Sequence, residues 1–135
     1  MTESRTELIS KLVCLLEQSE KNFSRITNDL VSTISHTNVY KNLCGGYHSP
    51  TILADKVLEI CKQIEKIDND KRISELINNW RDSYIKQFIE LEAFCTFINA
   101  YGVRCVNKDV SLRDLDNDLN DYRADIAELL REIAK

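Results

Sequence analysis

Apolar residues recur along most of the chain at intervals of three and four, which is the spacing that places them on one face of an α-helix. Four segments carry this pattern, at about residues 6–36, 50–67, 71–100 and 112–133. The first stripe is interrupted by the polar Ser19, and the fourth keeps an unbroken heptad over three repeats. The predicted buried faces are Leu8, Leu12, Leu15, Phe23, Ile26, Leu30 and Ile34; Leu53, Val57, Ile60, Ile64 and Ile67; Ile73, Ile77, Trp80, Tyr84, Phe88, Leu91, Cys95 and Ile98; and Leu112, Leu115, Leu119, Tyr122, Ile126, Leu129 and Ile133.

The predicted ends of these helices coincide with residues that favour helix ends. Ser49 is a good N-cap, and Pro50 suits the first helical position because its missing N–H would have no partner there. Gly102 suits the left-handed position that follows many helices. Ser111, with Asp114 three residues later, resembles a capping box and predicts that the fourth helix begins there.

Short connections between helices favour antiparallel neighbours. We therefore expect one all-α domain over residues 1–135, an elongated antiparallel four-helix bundle with coiled-coil-like packing; a three-helix core with a detached end is the alternative. The first and third helices would each be roughly 45 Å long and the second about 27 Å. Because the short second helix cannot cover its neighbours fully, apolar surface on the long helices is expected to stay open for contacts.

The composition agrees with a helical domain and excludes several classes of function. Apolar residues make up 43% and charged residues 30%, with three Gly and one Pro, too few for the turns of an all-β fold. The formal net charge is −4 and no basic stripe is present, so we expect no nucleic-acid partner. No apolar stretch approaches the ~20 residues of a membrane span, and the first residues lack the pattern of a secretion signal. We expect a cytoplasmic or nuclear protein without membrane insertion.

The five cysteines are expected to be reduced thiols that act as small core residues, because their number is odd and none forms a Cys-x-x-Cys pair. Cys44 and His48, on either side of a Gly-Gly pair, could supply two metal ligands or a thiolate–imidazole pair. A structural zinc site needs four ligands, and an orienting acid or amide cannot be assigned. We therefore expect no metal, no cofactor and no catalytic residue, with a small thiol- or metal-dependent enzyme as an alternative.

Residues 114–125 carry acids or amides at positions 1, 3, 5, 7 and 12 of a calcium-binding loop. However, Leu119 occupies the position that needs glycine, and Asp125 stands where a bidentate Glu is usual. In a helix, Leu119 belongs to the apolar heptad instead. The sequence therefore predicts a helix with an acidic outer face, which could meet a basic partner. The residues of this face are Asp114, Asp118, Asp121 and Asp125, and Arg113 and Arg123 are expected to offset part of their repulsion.

Aromatic residues of the third segment are the other candidate contacts. Trp80 and Tyr84 lie one turn apart, and interface hot spots are enriched in Trp and Tyr; the alternative is that both are core residues. From Ala93 onward the segment is apolar on nearly all sides, so it is either buried on several sides or meets a partner. The candidates there are Phe94, Phe97 and Tyr101.

The predicted function is a non-enzymatic protein–protein interaction module, an adaptor or small subunit of a larger intracellular assembly that acts through helix–helix contacts. Self-association is one version of it. The alternative is a regulator that captures an amphipathic helix in a preformed groove near Trp80. The string Asn79-Trp80-Arg81 resembles a short motif of Bcl-2-like helical proteins, although it lacks the glycine between Trp and Arg, and we treat this resemblance as coincidental.

Overall fold

A computed structural model describes residues 4–36, 50–69 and 71–135 and confirms the all-α expectation. Helix α1 spans Arg5–His36, α2 spans Pro50–Asp68, α3 spans Arg72–Tyr101 and α4 spans Lys108–Ala134. A single 3₁₀ turn, Val103–Cys105, connects α3 to α4. These described ranges contain no β-strand.

Contacts between helix ends establish an up-down-up-down arrangement. Arg5, which begins α1, forms an ion pair with Asp68, which ends α2. The chain then reverses at Asn69, whose φ of 53° is a left-handed conformation that Asn tolerates better than most residues. Arg72 at the start of α3 donates a hydrogen bond to the backbone carbonyl of Glu132 near the end of α4. Helices that follow one another in the chain are therefore antiparallel.

The buried residues form one continuous core, and the predicted stripes supply most of it. The predicted face of α3 is buried in full, and that of α4 is buried from Leu115 onward. In α1, Leu16 is fully buried and its neighbour Leu15 only half-buried, and in α2 Cys61 is buried while Ile60 is half-buried. Apolar residues occupy adjacent positions in both helices, so periodicity alone could not decide which of the two faces inward. The prediction is wrong for Ile67, which is 46% exposed at the end of α2.

Helix α4 begins earlier than the sequence predicts. Its N-cap is Asn107, whose side chain accepts a hydrogen bond from the backbone N–H of Val110 at 3.1 Å, so Ser111 is not the cap. The extra first turn lies beyond the core, as the 40% exposure of Val110 indicates. Apolar periodicity cannot detect such a turn, because the cap stabilises it rather than burial.

The predicted end of α3 is confirmed at Gly102. Its φ of 84° favours glycine, and its backbone N–H donates to the carbonyl of Ile98 at 2.8 Å, which closes the last turn. Pro50 begins α2 as expected, whereas its predicted N-cap, Ser49, lies outside the described residues.

The cysteines divide into two chemical states. Cys14, Cys61 and Cys105 are free, but Cys95 is disulfide-bonded, so the expectation of reduced thiols is wrong for that residue. Sequence spacing could not reveal the bond, because a disulfide depends on two Cβ atoms approaching to about 4 Å in space. Cys44, like His48, lies outside the described residues.

The free thiols are expected to differ strongly in reactivity. Burial, with a smaller contribution from the Glu65 carboxylate, raises the pKa of the Cys61 thiol to about 12. At pH 8 this thiol is roughly a thousandfold less ionised than an ordinary exposed one. A thiol-reactive dye should therefore modify Cys14 and Cys105 in the native protein and Cys61 only after unfolding, which peptide mapping checks. Fast native modification of Cys61 would contradict its burial.

Candidate functional site

Among neighbouring helices of the described bundle, α3 and α4 are the most widely separated pair. Helix α1 packs closely against α2 and α4, and α2 packs closely against α3, whereas the backbones of α3 and α4 remain further apart. Trp80 and Tyr122 lie between these two helices and contact each other. Large side chains at a helix contact increase the distance between the axes, so the aromatic contact leaves a groove above it.

Two adjoining cavities form this groove, which we call the α3/α4 groove. The first has a volume of about 390 Å³ and the second about 410 Å³, and Asp125 lines both. The first cavity is lined by Phe23, Gln87, Glu90, Leu91, Phe94, Ser111, Asp114, Leu115, Asp118, Asp121 and Asp125. The second is lined by Leu76, Asn79, Trp80, Ser83, Tyr122, Asp125, Glu128, Leu129 and Glu132.

Most lining residues are apolar or acidic, the others are neutral and polar, and among those that the structure describes none is Lys or Arg. The buried or half-buried apolar set is Phe23, Leu76, Trp80, Leu91, Phe94, Leu115, Tyr122 and Leu129. The acidic set is Glu90, Asp114, Asp118, Asp121, Asp125, Glu128 and Glu132. A groove with an apolar floor and a uniformly negative rim attracts an amphipathic partner of positive charge.

A chain of hydrogen bonds fixes the middle of the floor. The Trp80 indole N–H donates to the Tyr122 hydroxyl at 3.2 Å, and this hydroxyl lies 2.6 Å from the Ser19 hydroxyl. Ser19 itself donates to the backbone carbonyl of Leu16 at 2.6 Å. Because Ser19 has one proton to give, Tyr122 must donate to Ser19. The chain therefore runs in one direction and ties α3, α4 and α1 together.

Ring contacts hold the same residues in place. Phe23 stacks on Tyr122 with ring centroids 4.6 Å apart, and Trp80 stacks on Tyr84 at 5.1 Å. Tyr84 is completely buried, while Trp80 keeps 8% of its surface at the groove. Burial raises the pKa of both phenols, so Tyr84 and Tyr122 stay neutral at physiological pH. Tyr84 thus belongs to the core, and Trp80 alone of the predicted pair reaches the groove.

The four predicted acids of α4 are exposed, and all of them line the first cavity. Partial desolvation of its carboxyl group at the cavity wall, followed by the charges of Asp114, Asp121 and Glu90, raises the pKa of Asp118. Glu90 belongs to α3, so the like charges face each other across the groove. Arg123, which was expected to offset part of their repulsion, directs its guanidinium to α1, where it lies 3.4 Å from the Glu20 carboxylate.

Removing the charge of Asp118 should stabilise the fold. A carboxyl group whose pKa is raised by folding favours the folded state below its unfolded pKa and loses that contribution as pH rises through the folded value. Asp118→Asn should therefore raise the unfolding free energy at pH 7 by a few tenths of a kcal/mol, the size expected for two like-charge helical pairs. The gain should vanish near pH 3, where Asp118 is itself protonated.

Thermal unfolding at the two pH values measures this effect. The control is Asp116→Asn, because Asp116 lies on the same helix and has the same charge but does not line the groove. An equal gain from both substitutions would mean that general charge reduction, and not the arrangement across the groove, is responsible.

The structure separates the aromatic candidates at the end of α3. Phe94 is half-buried and lines the first cavity. Phe97 and Tyr101 are 38% and 67% exposed, contact each other with ring centroids 5.1 Å apart, and lie outside both cavities. Tyr101 follows Phe94 by seven residues, so it extends the same face of α3 beyond the groove.

Several groove residues were missed by the sequence reasoning. Glu90 could have been found, because it lies four residues before Phe94 and therefore on the same helical face. Gln87 stands one turn before Leu91 and could have been found in the same way. Phe23 carried no such signal, since it belongs to α1 and reaches the first cavity only through the packing of three helices.

In the described ranges, no group of three or more His, Cys, Asp or Glu side chains is arranged to hold a metal ion. No helix there has the length and apolarity needed to cross a bilayer. Residues 114–125 are continuous helix, so they do not form a calcium-binding loop. Comparison with known protein families, curated proteins and solved structures gives no match for this chain.

Proposed function

We propose that the protein is a non-enzymatic interaction module whose α3/α4 groove receives a helix from a partner protein. In this role it acts as an adaptor or small subunit of a cytoplasmic or nuclear assembly. The observation that carries the proposal is the groove itself, which has an apolar floor and an acidic rim and is already open among the residues that the structure describes. A preformed groove favours the capture of a single partner helix over side-by-side packing of helices on the outside of the bundle.

The dimensions of the groove suit one helix. Asp114 and Glu132, at its two ends, are 18 residues apart on α4, which is about 27 Å or five helical turns. A bound helix would lie between α3 and α4 and cover the open side of the bundle. Helix-in-groove recognition uses apolar anchors on one face of the ligand, and Phe94, Leu115 and Leu129 offer apolar surface to such anchors.

The rigidity of the floor supports the same proposal. The Trp80 indole and the Tyr122 phenol are held by stacking and by hydrogen bonds before any partner arrives. A binding surface that needs no reordering retains more of its interaction energy as affinity. Trp and Tyr are also the residue types that most often dominate interface energetics.

Site-specific photo-cross-linking in cell extract tests the proposal. A photoreactive residue at position 87, in place of Gln87, would lie in the groove, and one in place of Lys56 would lie on the opposite α1/α2 side. We expect position 87 to give defined adducts with a partner, with the partner peptide identified by mass spectrometry as helical and amphipathic. Adducts formed only at position 56, or the same adducts at both positions, would contradict the proposal.

A further inference from the structure

On the basis of the proposed function, we infer that the helix bound in the α3/α4 groove is a basic amphipathic helix with two apolar anchors about 14 residues apart. Its positive charges are concentrated at the end that lies against Phe94. Three properties of the groove support this: its rim is negatively charged, its two cavities are a fixed distance apart, and its acids are more numerous and less often paired at one end than at the other.

The negative charge of the rim favours a basic partner. Acids come from both walls, Glu90 from α3 and Asp114, Asp118 and Asp121 from α4. An acidic helix placed between them would add like charge to a site that excludes water on binding, where repulsion is stronger than in bulk solvent. A neutral helix would desolvate the acids without giving them partners. Lys or Arg residues on the ligand would instead supply the missing counter-charges.

The spacing of the cavities sets the spacing of the anchors. The first cavity has Phe94 and Leu115 on its two walls, and the second has Trp80 and Leu129. Phe94 and Trp80 are 14 residues apart on α3, as are Leu115 and Leu129 on α4. Both walls therefore place the apolar sites about 21 Å apart. A helix lying along the groove has the same rise per residue, so its anchors need the same separation.

The two ends of the groove differ in how much of their negative charge is paired with a positive charge of the chain. At the second cavity, Glu132 accepts a hydrogen bond from the Lys135 ammonium at 2.8 Å, which lowers the pKa of its carboxyl group. The first cavity is lined by five acids and the second by three, of which Glu132 alone is paired with Lys135. Negative charge is therefore concentrated beside Phe94, where partial desolvation and the acidic neighbours also raise the pKa of Asp118. A second copy of this chain, with its net charge of −4, is a poorer electrostatic match than a basic segment.

Synthetic helical peptides without tryptophan test the inference, because Trp80 is the single tryptophan of the chain and reports on the groove by its fluorescence. Three peptides share Leu anchors 14 residues apart and carry Lys, Gln or Glu at the other positions. A fourth carries Lys with anchors ten residues apart. We expect the first to bind at least about tenfold more tightly than any other, with an affinity that falls as salt is raised.

Charge-reversed variants provide the matched comparison. Asp118→Lys with Asp121→Lys should weaken binding of the basic peptide about tenfold or more. The control is Asp109→Lys with Asp116→Lys, which makes the same charge change on α4 outside the cavities and should have less than about a threefold effect. Circular dichroism confirms that each variant is folded. Equal losses in both variants would overturn the assignment of the acids as the recognition element.

The outcomes separate this inference from the proposed function. If the Gln or Glu peptide binds as tightly as the Lys peptide and changes Trp80 fluorescence equally, the groove binds helices but the inference that its partner is basic is wrong. If the peptide with anchors ten residues apart binds as tightly as the one with anchors 14 residues apart, the inferred anchor spacing is wrong. If light scattering shows a dimer that the groove variants disrupt and the basic peptide does not bind, the occupant is a second copy. If no peptide binds and position 87 gives no cross-link, the proposed function fails as well.

Discussion

Replacing Tyr122 with alanine is expected to lower the free energy of unfolding by about 3–5 kcal/mol, the range for large aromatic residues in a core. Tyr122 is 2% exposed, and its ring stacks on Phe23 and contacts Tyr84. Its removal leaves a cavity where α1, α3 and α4 meet. It also leaves the indole N–H of Trp80 without its acceptor.

Tyr122→Phe isolates the contribution of the hydroxyl group. The ring contacts remain, but the Trp80 donor and the Ser19 oxygen lose their partner, so we expect a decrease of about 1–3 kcal/mol. Ser19→Ala removes the other end of the same bond. Because both changes act on one hydrogen-bond chain, the double variant should lose less than the sum of the two single losses.

Urea unfolding monitored by circular dichroism measures these differences. Tyr101→Ala and Tyr101→Phe are the controls, because Tyr101 is 67% exposed, and we expect changes within about 0.5 kcal/mol. Tyr122→Phe with wild-type stability would mean that the hydrogen-bond chain does not fix the floor of the groove.

The second large effect is expected on binding, at Phe94. Its side chain lines the first cavity and is half-buried, so Phe94→Ser removes an apolar wall and leaves most of the fold in place. Truncation of a hot-spot residue costs about 2 kcal/mol or more, which corresponds to an affinity roughly 30-fold lower. Isothermal titration with the Lys peptide, or with the cross-linked partner once identified, measures the loss.

Phe97→Ser is the matched control for this experiment. It removes the same side chain three residues further along α3, at a position 38% exposed and outside both cavities. We expect its affinity to stay within about threefold of the wild type, since residues outside the contact contribute little. The reverse order, in which Phe97→Ser weakens binding and Phe94→Ser does not, would move the contact surface away from the groove to the exposed end of α3.

Most of the fold was predictable because helical periodicity was strong and interruptions were few. All four helices and their order follow from the apolar stripes, and the ends at Pro50 and Gly102 follow from residues with special backbone requirements. The start of α4 was not predictable from periodicity, because Asn107 stabilises a turn that buries nothing. Nor was the state of Cys95, which depends on proximity in space and not in sequence.

The candidate site was predictable only in part. The acids of α4 and Phe94 were identified, because a helical face can be read from spacing. Their arrangement in one groove was not predictable, since it depends on how far apart α3 and α4 stand, and that distance is set by aromatic side chains from three helices. Ser19 is the clearest example. It interrupts an apolar stripe in the sequence, yet it is fully buried and supplies the acceptor that orients Tyr122.

An NMR titration of ¹⁵N-labelled protein with the Lys peptide tests most directly whether the α3/α4 groove is the binding surface. Trp80 gives the only indole N–H signal of the chain. We predict that this signal shifts on titration together with the amides of Gln87 and Asp118, while the amides of Lys56 and Gln63 on the α1/α2 side stay unchanged. Saturable binding that shifts Lys56 and Gln63 and leaves Trp80 and Asp118 unchanged would contradict the account.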